Sequence, residues 1–423
     1  MDVRPSGRPG RRAVTGQLLD GGATPIVAAV EAVDSIAMKH RRMLTWIAAA
    51  LLLVLAPNHS QAHDANSCQR AKRHRHCAAS SGRRAVLARP AAVAVSTSAQ
   101  RPMLWGAQIG TQLTGTQAPW DMTPVTDFQA EAGKAPSIVP FNLPFLECGS
   151  SCYWLSFPTA LLTTIRSYGA IPMINWSAVS APVTGSEPQF ALRRLIAGDY
   201  DTYIRGFAQG ARAWGYPLFL RFDWEMNGNW FPWGADTNGN RAGQYVAAWR
   251  HVHDIFTAAG ATNVNWVWCP YVTVPNATAD LSALYPGSAY VDWTGLDAYN
   301  WGTKLHGPHG WISFRDTIGA TYAKITRQIA PGKPMMLGEV ASSGHGGSRS
   351  RWIADMFSSL RTTYTAVDAV VWMDAPDGAT DWTIDHSGPD LAAFRSAVGS
   401  PAYQANAFGA LGAGAITTAL AVR

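Results

Sequence analysis

Charged side chains are scarce in this chain of 423 residues, in which Asp, Glu, Lys and Arg together make up 15%. Because hydrophobic residues make up 47%, the composition excludes a disordered polyelectrolyte. Glycine and proline show no excess of the kind found in collagen-like or linker-like chains. Tryptophan is abundant instead, with 18 residues. An indole ring packs on the apolar face of a sugar while its N–H bonds a hydroxyl, so this count is typical of carbohydrate clefts.

Most of the chain also lacks basic charge, although the sequence pI is about 9.1. The first 101 residues hold 15 of the 34 Lys and Arg but only 5 of the 28 Asp and Glu. The remaining 322 residues therefore hold 19 basic and 23 acidic residues, a net charge of −4. That body offers no positive field for nucleic acid, so we expect no nucleic-acid partner. Aromatic residues divide the other way, since 17 of the 18 tryptophans follow residue 101.

The N-terminal quarter contains one apolar run, from Met43 to Ala56. Basic residues 39–42 precede it and Ser60-Gln61-Ala62 follows it. A basic region, a 14-residue apolar region and a small-x-small site predict a secretory signal peptide over residues 38–62. A membrane anchor is the alternative, but the run is shorter than the ~20 residues that a spanning helix needs. We therefore expect a secreted, extracellular protein without stable membrane insertion.

The segments on either side of this signal peptide show no pattern of a folded domain. A signal peptide normally begins a chain, so we interpret residues 1–37 as an upstream extension with the true start at Met38 or Met43. Residues 63–101 are rich in Ala, Arg, Ser and His without periodicity. This composition predicts a disordered linker.

Cysteine is rare, with five residues in the whole chain. Cys148 and Cys152 form a C-G-S-S-C pair, but no second Cys or His pair lies nearby at the spacing of a zinc site. In an exported chain this pair favours a local disulfide. Cys269 follows an apolar stretch and is expected to be a free thiol in the core. We expect no metal site.

From residue 102 onward, short apolar runs alternate with longer segments of helical periodicity. Eight strand candidates follow one another: Leu104–Ile109, Ser137–Phe141, Ile171–Trp176, Pro217–Phe222, Val264–Cys269, Val291–Leu296, Pro334–Leu337 and Ala369–Trp372. Amphipathic patterns at Gly243–Ala259 and Ile312–Ile329 are the clearest helices between them. Eight strand–helix units predict an α/β fold, a (β/α)8 TIM barrel over residues 102–400. An open doubly wound sheet is the alternative, but such a fold typically has a G-x-G-x-x-G loop after an early strand, and we find no such motif there. Residues 401–423 are predicted to be a C-terminal tail outside the barrel.

Polar residues at the ends of barrel strands form the catalytic face of such a fold. Two carboxylates lie there: Glu225 closes the fourth predicted strand and Glu339 the seventh. A lone buried Glu could simply pair with an arginine such as Arg221, but two carboxylates among aromatic residues fit cleavage of a glycosidic bond. Tyr299 is placed to donate a hydrogen bond to Glu339. The other residues expected to contact substrate are Trp176, Trp224, Asn227, Trp230, Asp297, Tyr299, Trp301 and Trp372.

Several segments resemble glycoside hydrolase family 26. The sequence R-F-D-W-E-M-N-G-N-W-F-P-W at residues 221–233 is similar to the acid/base segment of that family, R-F-x-H-E-M-N-G-x-W-x-x-W. Four further segments are similar and occur in the family's order: Tyr245–Val252, Asn263–Trp268, Tyr285–Trp301 and Leu337–Ser342. The resemblance covers about residues 102–397.

This resemblance implies a retaining endo-β-glycanase, most often a β-mannanase, in a family that also contains β-glucanases and β-xylanases. It implies that Glu225 is the acid/base and Glu339 the nucleophile. Asp297 and Tyr299 match the segment that contacts the central sugar, and two tryptophans match sugar-facing positions: Trp230 and Trp372. The sequence departs from the family at Trp224, where the family commonly has His. That His helps to position the central sugar, so Trp224 weakens the expectation of mannan specificity.

The expected partner is a polysaccharide, and we expect a monomer that needs no cofactor. The leading hypothesis is hydrolysis of β-1,4-mannan by double displacement. A β-glucanase or β-xylanase is the alternative within the same fold. A polysaccharide-binding pseudoenzyme is the alternative from another class, and the presence of both Glu225 and Glu339 argues against it.

Overall fold

The computed structural model describes residues 102–182, 186–273, 279–303, 310–376, 380–412 and 414–416. The predicted upstream extension, signal peptide and linker lie outside these ranges. Within them, no helix combines the length and the apolar character needed to cross a membrane.

Eight parallel strands form a closed barrel, which confirms the predicted (β/α)8 fold. Strands β1 and β9 pair in parallel, and β1 also pairs with β2, so the sheet closes on itself. A ninth, short strand, β3, adds to β2 in antiparallel orientation. The strands are β1 (Leu104–Ile109), β2 (Ile138–Cys148), β3 (Cys152–Trp154), β4 (Ile171–Ala181), β5 (Leu218–Phe222), β6 (Val264–Trp268), β7 (Trp293–Asn300), β8 (Met335–Ser342) and β9 (Val367–Asp374).

Helices cover the outside of the barrel. Those in the described ranges are α1 (Thr123–Ala132), α2 (Thr159–Tyr168), α3 (Leu192–Ile196), α4 (Asp201–Trp214), α5 (Gln244–Ala259), α6 (Phe314–Lys324), α7 (Arg349–Thr362) and α8 (Gly388–Val398). Helix α5 buries the stripe that the sequence predicts, including Trp249 and Phe256. Gly169 and Gly215 end α2 and α4 in the left-handed conformation, which glycine adopts without steric cost. A single π-turn, Ile325–Ile329, extends α6.

The layer between strands and helices is packed mainly with aromatic rings. Trp105 on β1 packs against Phe128 of α1 and Phe394 of α8. Trp249 of α5 packs against Phe222 of β5. These side chains are buried, so a large part of the tryptophan content builds the core rather than a sugar-binding cleft.

Strand β2 is 11 residues long and continues into a hairpin with β3. Cys148 and Cys152 pair across this hairpin and form the disulfide that the sequence favours. The carboxyl end of a barrel strand lies on the face that carries active sites. The hairpin therefore extends this face of the barrel.

The C-terminal segment does not lie outside the barrel, so that prediction is wrong for its described part. The backbone N–H of Ile416 donates to Asn265 Oδ1 at 2.8 Å, and Trp293 Nε1 donates to the carbonyl of Ile416 at 3.1 Å. Ile416 itself is buried. Asn265 and Trp293 lie near the amino-terminal ends of β6 and β7, so this segment packs against the barrel end opposite the catalytic face. Residues 401–423 have few charged residues and no helical or strand periodicity, so the sequence did not indicate that this segment packs on the barrel.

Candidate active site

Glu225 follows β5 on a turn that bends sharply. Its backbone has φ of 54°, and Asp223 two residues earlier has φ of 41°. Non-glycine residues rarely adopt such angles, and those that do are held by their surroundings. Here the N–H of Glu225 donates to the carbonyl of Cys269 at 2.8 Å, and the N–H of Gly228 donates to the carbonyl of Glu225 at 2.9 Å. The backbone therefore fixes where the Glu225 carboxyl group points.

Glu339 lies inside β8 and faces two donors. Tyr299 on the neighbouring strand β7 donates from its hydroxyl to Glu339 Oε2 at 2.6 Å. Arg221 on β5 donates from Nη1 to Glu339 Oε1 at 2.7 Å. Both oxygens of this carboxylate thus accept a hydrogen bond, as the sequence predicts for Tyr299. Donors of this kind stabilise the ionised form of a carboxylate.

Arg221 connects the polar residues of the barrel interior. Its guanidinium is fully buried and forms an ion pair with Asp297 as well as with Glu339. Asp297 lies beside Glu339 in the register of β7 and β8. Nη1 also lies 3.3 Å from Oδ1 of Asn175, whose amide donates to Asn142 at 2.7 Å. The arginine therefore holds two carboxylates at one place.

Three carboxylates converge in this region. One oxygen from each of Glu225, Asp297 and Glu339 lies within 4.8 Å of the other two. Such a cluster could in principle hold a cation. The guanidinium of Arg221 already supplies positive charge to two of the three groups. The donor set is therefore that of an ion-pair network, and we assign no metal to it.

Burial raises the pKa of two groups in this site, Glu225 and Tyr299. Burial raises the pKa of Glu225 well above its usual range, and the negative charges of Asp297 and Glu339 raise it further. Arg221 and the indole of Trp230 oppose that shift. Burial, followed by the charge of Glu339, also raises the pKa of Tyr299. These shifts favour the protonated form of Glu225 and the neutral hydroxyl of Tyr299.

Aromatic residues enclose the two glutamates. Trp230 Nε1 donates to Glu225 Oε2 at 2.5 Å, and its ring meets Tyr271 edge-on. Tyr271 stacks parallel to Tyr299, and its hydroxyl accepts from Trp301 Nε1 at 2.9 Å. These rings combine apolar faces with aimed polar groups, which suits a sugar.

Comparison with known proteins places this arrangement in a family. Residues 162–328 match the model of glycosyl hydrolase family 26. The chain belongs to glycoside hydrolase family 26. Endoglucanase H of Acetivibrio thermocellus is 35% identical over 301 residues, which cover 70% of this chain and 30% of that protein. Mannan endo-1,4-beta-mannosidase A and B of Caldalkalibacillus mannanilyticus is 40% identical over 81 residues, which cover 18% of this chain and 15% of that protein.

Solved structures support the fold of this family 26 chain. The catalytic domain of a family 26 endo-β-1,4-mannanase from Bacillus sp. JAMB-750 superposes with a TM-score of 0.55. The two chains are 18% identical, and the match covers 74% of this chain and 89% of the other. This chain matches less than a third of the length of both relatives named above.

Two predicted sugar-contacting residues of this family 26 chain lie behind the strands, and these predictions are wrong. Trp176 is fully buried and stacks on Phe207 of α4 at 4.3 Å between centroids. Trp372 is also buried and packs against Phe394 of α8. Side chains alternate between the two faces of a strand, and both tryptophans occupy the helix-facing side. A strand-end position alone could not distinguish the two faces.

Three other residues that were predicted to contact the sugar lie beneath the site rather than at its surface. Trp224 packs against Phe231 and Trp233, and little of its ring is exposed. Asn227 uses its amide group to bond the backbone N–H and C=O of Tyr271, each at 2.9 Å. The predicted direct sugar contacts of these two residues are therefore replaced by packing and backbone support.

Asp297 is the third residue of this kind. It has no exposed surface and pairs with Arg221, so the sugar contact that the resemblance implies is absent here.

The structure brings the following predicted residues together around one site: Glu225, Glu339, Trp230, Tyr299 and Trp301, with Asp297 buried beside the two glutamates.

Sequence reasoning missed Trp382 and Tyr271. The ring of Trp382 lies 5.2 Å from that of Tyr299 and 5.0 Å from that of Trp301. Trp382 lies in the loop after β9, where no strand pattern drew attention to it. Tyr271 follows β6 by three residues, and its place at the carboxyl end of a barrel strand was the signal that could have found it.

Proposed function

We propose that this protein is an extracellular endo-β-glycanase that cleaves a β-1,4-linked polysaccharide with retention of anomeric configuration. The observation that carries the proposal is the close approach of Glu225 and Glu339, whose nearest oxygens lie within 4.8 Å. Retaining glycosidases hold their two carboxyl groups ~5–5.5 Å apart, whereas inverting ones keep ~6.5–9.5 Å to admit a water molecule. The short separation supports double displacement.

In the first step Glu225 gives its proton to the glycosidic oxygen while a Glu339 oxygen bonds to the anomeric carbon. The bond from that carbon to the leaving oxygen breaks, which leaves a glycosyl–enzyme ester and a neutral alcohol. The raised pKa of Glu225 supplies the proton at neutral pH. Arg221 and Tyr299 orient the Glu339 carboxylate for its attack.

In the second step Glu225, now a carboxylate, accepts a proton from water. The water oxygen bonds to the anomeric carbon, and the bond to Glu339 breaks. This restores the protonated Glu225 and the ionised Glu339. The N–H of Trp230 stabilises Glu225 while it is charged between the two steps, because that donor favours the carboxylate form.

We propose β-1,4-mannan as the leading substrate, on the resemblance of the catalytic segments to those of β-mannanases and on the mannosidase named among the relatives. A β-glucan is the second candidate. It is favoured by the endoglucanase, whose match covers 70% of this chain.

We also propose that the protein is exported with cleavage after the segment Ser60-Gln61-Ala62. The disulfide of the β2–β3 hairpin supports this proposal, because such bonds persist in oxidising compartments. N-terminal sequencing of protein secreted by a native-like host should find a start near His63. Intact Met1 on cytoplasmic protein would contradict export.

The test of the activity is a reducing-end assay on soluble mannan, lichenan and xylan with the full chain. Proton NMR of the first product should show the β-anomer before mutarotation. An initial α-anomer would contradict retention. Binding to the same polysaccharides without new reducing ends, by protein that is folded by circular dichroism, would favour the pseudoenzyme.

A further inference from the structure

The free thiol of Cys269 lies directly beneath the catalytic carboxylates. Its sulfur is 3.2 Å from Oδ1 of Asp297, and the residue has no exposed surface. Burial raises the pKa of this thiol well above its usual range, and the nearby charge of Asp297 raises it further. The group is therefore an S–H that donates to the Asp297 carboxylate.

The surrounding backbone leaves room for this sulfur. A Cβ on Gly295 of β7 would lie 2.4 Å from it, and a Cβ on Gly338 of β8 would lie 2.8 Å from it. The same Cβ on Gly338 would also lie 2.8 Å from Oδ1 of Asp297. Two neighbouring strands thus carry glycine where the thiol meets Asp297. The contact is enclosed on both sides.

Cys269 also touches the acid/base by a second route. Its carbonyl oxygen accepts the N–H of Glu225 at 2.8 Å, and this bond helps to hold Glu225 at its positive φ. Asp297, which receives the thiol hydrogen, pairs with Arg221, which in turn donates to Glu339. One residue therefore contacts the groups that support both glutamates.

We propose that Cys269 is a positioning residue for the glycosidase reaction: its thiol holds the Asp297 carboxyl group in its pair with Arg221, beneath Glu225 and Glu339. This inference rests on the proposed function. The charged and titratable groups that face Asp297 come from three parts of the barrel. Arg221 lies on β5 and Glu225 follows it, Glu339 lies on β8, and the thiol of Cys269 follows β6.

The direction of the effect on catalysis follows from the charges. Burial raises the pKa of Asp297 to about 8, and the S–H donor, like the charge of Arg221, opposes that shift. The charge of Asp297 in turn raises the pKa of Glu225. When the donor is removed, Asp297 holds its proton more readily and that charge weakens. The pKa of Glu225 then falls, so the acid loses its proton at lower pH.

The test compares Cys269→Ala with Cys269→Ser over the pH profile of kcat/KM. Cys269→Ala should move the alkaline limb to lower pH and cost about 10-fold in kcat with little change in KM, as expected for a lost bond to a charged group. Cys269→Ser keeps an O–H donor and should retain the wild-type limb. Val267→Ala, a buried truncation two residues earlier on the same side of the strand, should leave the limb unchanged. An unmoved limb in Cys269→Ala would overturn the proposal, as would equal shifts in all three variants.

A second measurement does not depend on activity. The infrared S–H stretching band of Cys269 is isolated in the difference spectrum of wild type minus Cys269→Ala. A donated S–H absorbs at lower frequency than a free one, so the band should rise in frequency in Asp297→Asn, whose amide oxygen is a weaker acceptor. An unchanged band would overturn the thiol–Asp297 bond. If wild type hydrolyses none of the polysaccharides while the band shifts as expected, the proposed function fails and the bond stands.

Discussion

The two glutamates occupy surroundings that differ in charge and in donors. Glu339 accepts from a guanidinium and from a tyrosine hydroxyl, and it lies within strand β8. Glu225 accepts a hydrogen bond from a neutral indole, lies on a backbone turn with positive φ, and faces the negative charges of Asp297 and Glu339. Glu339 thus has two donors that orient it, whereas the raised pKa of Glu225 favours its protonated form. The comparison supports the proposed roles, attack by Glu339 and proton transfer by Glu225.

The largest loss of activity is expected when either glutamate is replaced. Glu339→Ala and Glu225→Ala should each lower kcat by several orders of magnitude, because each residue takes part in bond making. Their products with added azide should differ. Azide entering the space left by Glu339 should give an α-glycosyl azide, whereas azide attacking the intermediate of Glu225→Ala should give a β-glycosyl azide.

These stereochemical outcomes check the two roles independently. Full activity of either alanine variant would contradict the assignment. The same anomer from both variants would show that the two glutamates do not have separate roles. An activated aryl glycoside is the suitable substrate for Glu225→Ala, because its leaving group needs little protonation.

Hydrogen-bond donors to the two glutamates should matter less than the glutamates. Tyr299→Phe removes the hydroxyl donor to Glu339 and should lower kcat by about 10- to 100-fold, the range expected for a bond to a charged group. The ring and its packing on Tyr271 and Trp382 remain. Tyr285→Phe is a matched control, because that hydroxyl is 3.3 Å from Ser288 in an exposed contact. Equal losses in both variants would contradict a specific role for Tyr299.

The alkaline limb of the pH profile should move in opposite directions in two variants near Glu225. Trp230→Phe removes a donor that favours the Glu225 carboxylate, so the pKa of Glu225 rises and the limb moves to higher pH. Asp297→Asn removes a negative charge that favours protonated Glu225, so its pKa falls and the limb moves to lower pH. Shifts of the same sign in kcat/KM would show that Glu225 does not set this limb.

Some parts of the fold and the site could be predicted from the sequence because they depend on local pattern. Strand candidates, helix stripes and the glycines that end helices depend on local periodicity and backbone freedom, so the barrel and the strand-end positions of Glu225 and Glu339 could be predicted. Tyr299 could be assigned to Glu339 because the two residues were expected near the ends of neighbouring barrel strands. These inferences need only the order of strands around the barrel.

Features that depend on which face a side chain takes could not be predicted in this way. Trp176 and Trp372 lie on barrel strands as Tyr299 and Glu339 do, but they point toward helices. The turn at Glu225 depends on a backbone hydrogen bond to Cys269, which lies 44 residues later. The sequence around Glu225 does not predict this hydrogen bond. Trp382 reaches Tyr299 and Trp301 from a loop after β9, and the order of strands does not fix the path of that loop.

The smallest expected effect belongs to Trp224, although the sequence suggested that it governs substrate choice. Its ring packs on Phe231 and Trp233, and the Arg221 guanidinium carbon lies 5.1 Å from its centroid. An imidazole there would still be surrounded by these rings and would leave unfilled volume behind. Trp224→His should therefore destabilise the fold by about 1–3 kcal/mol and change the mannan-to-glucan ratio of kcat/KM by less than about threefold. A shift toward mannan of 10-fold or more would show that position 224 reaches the sugar through an imidazole N–H, and the packing argument would then be wrong.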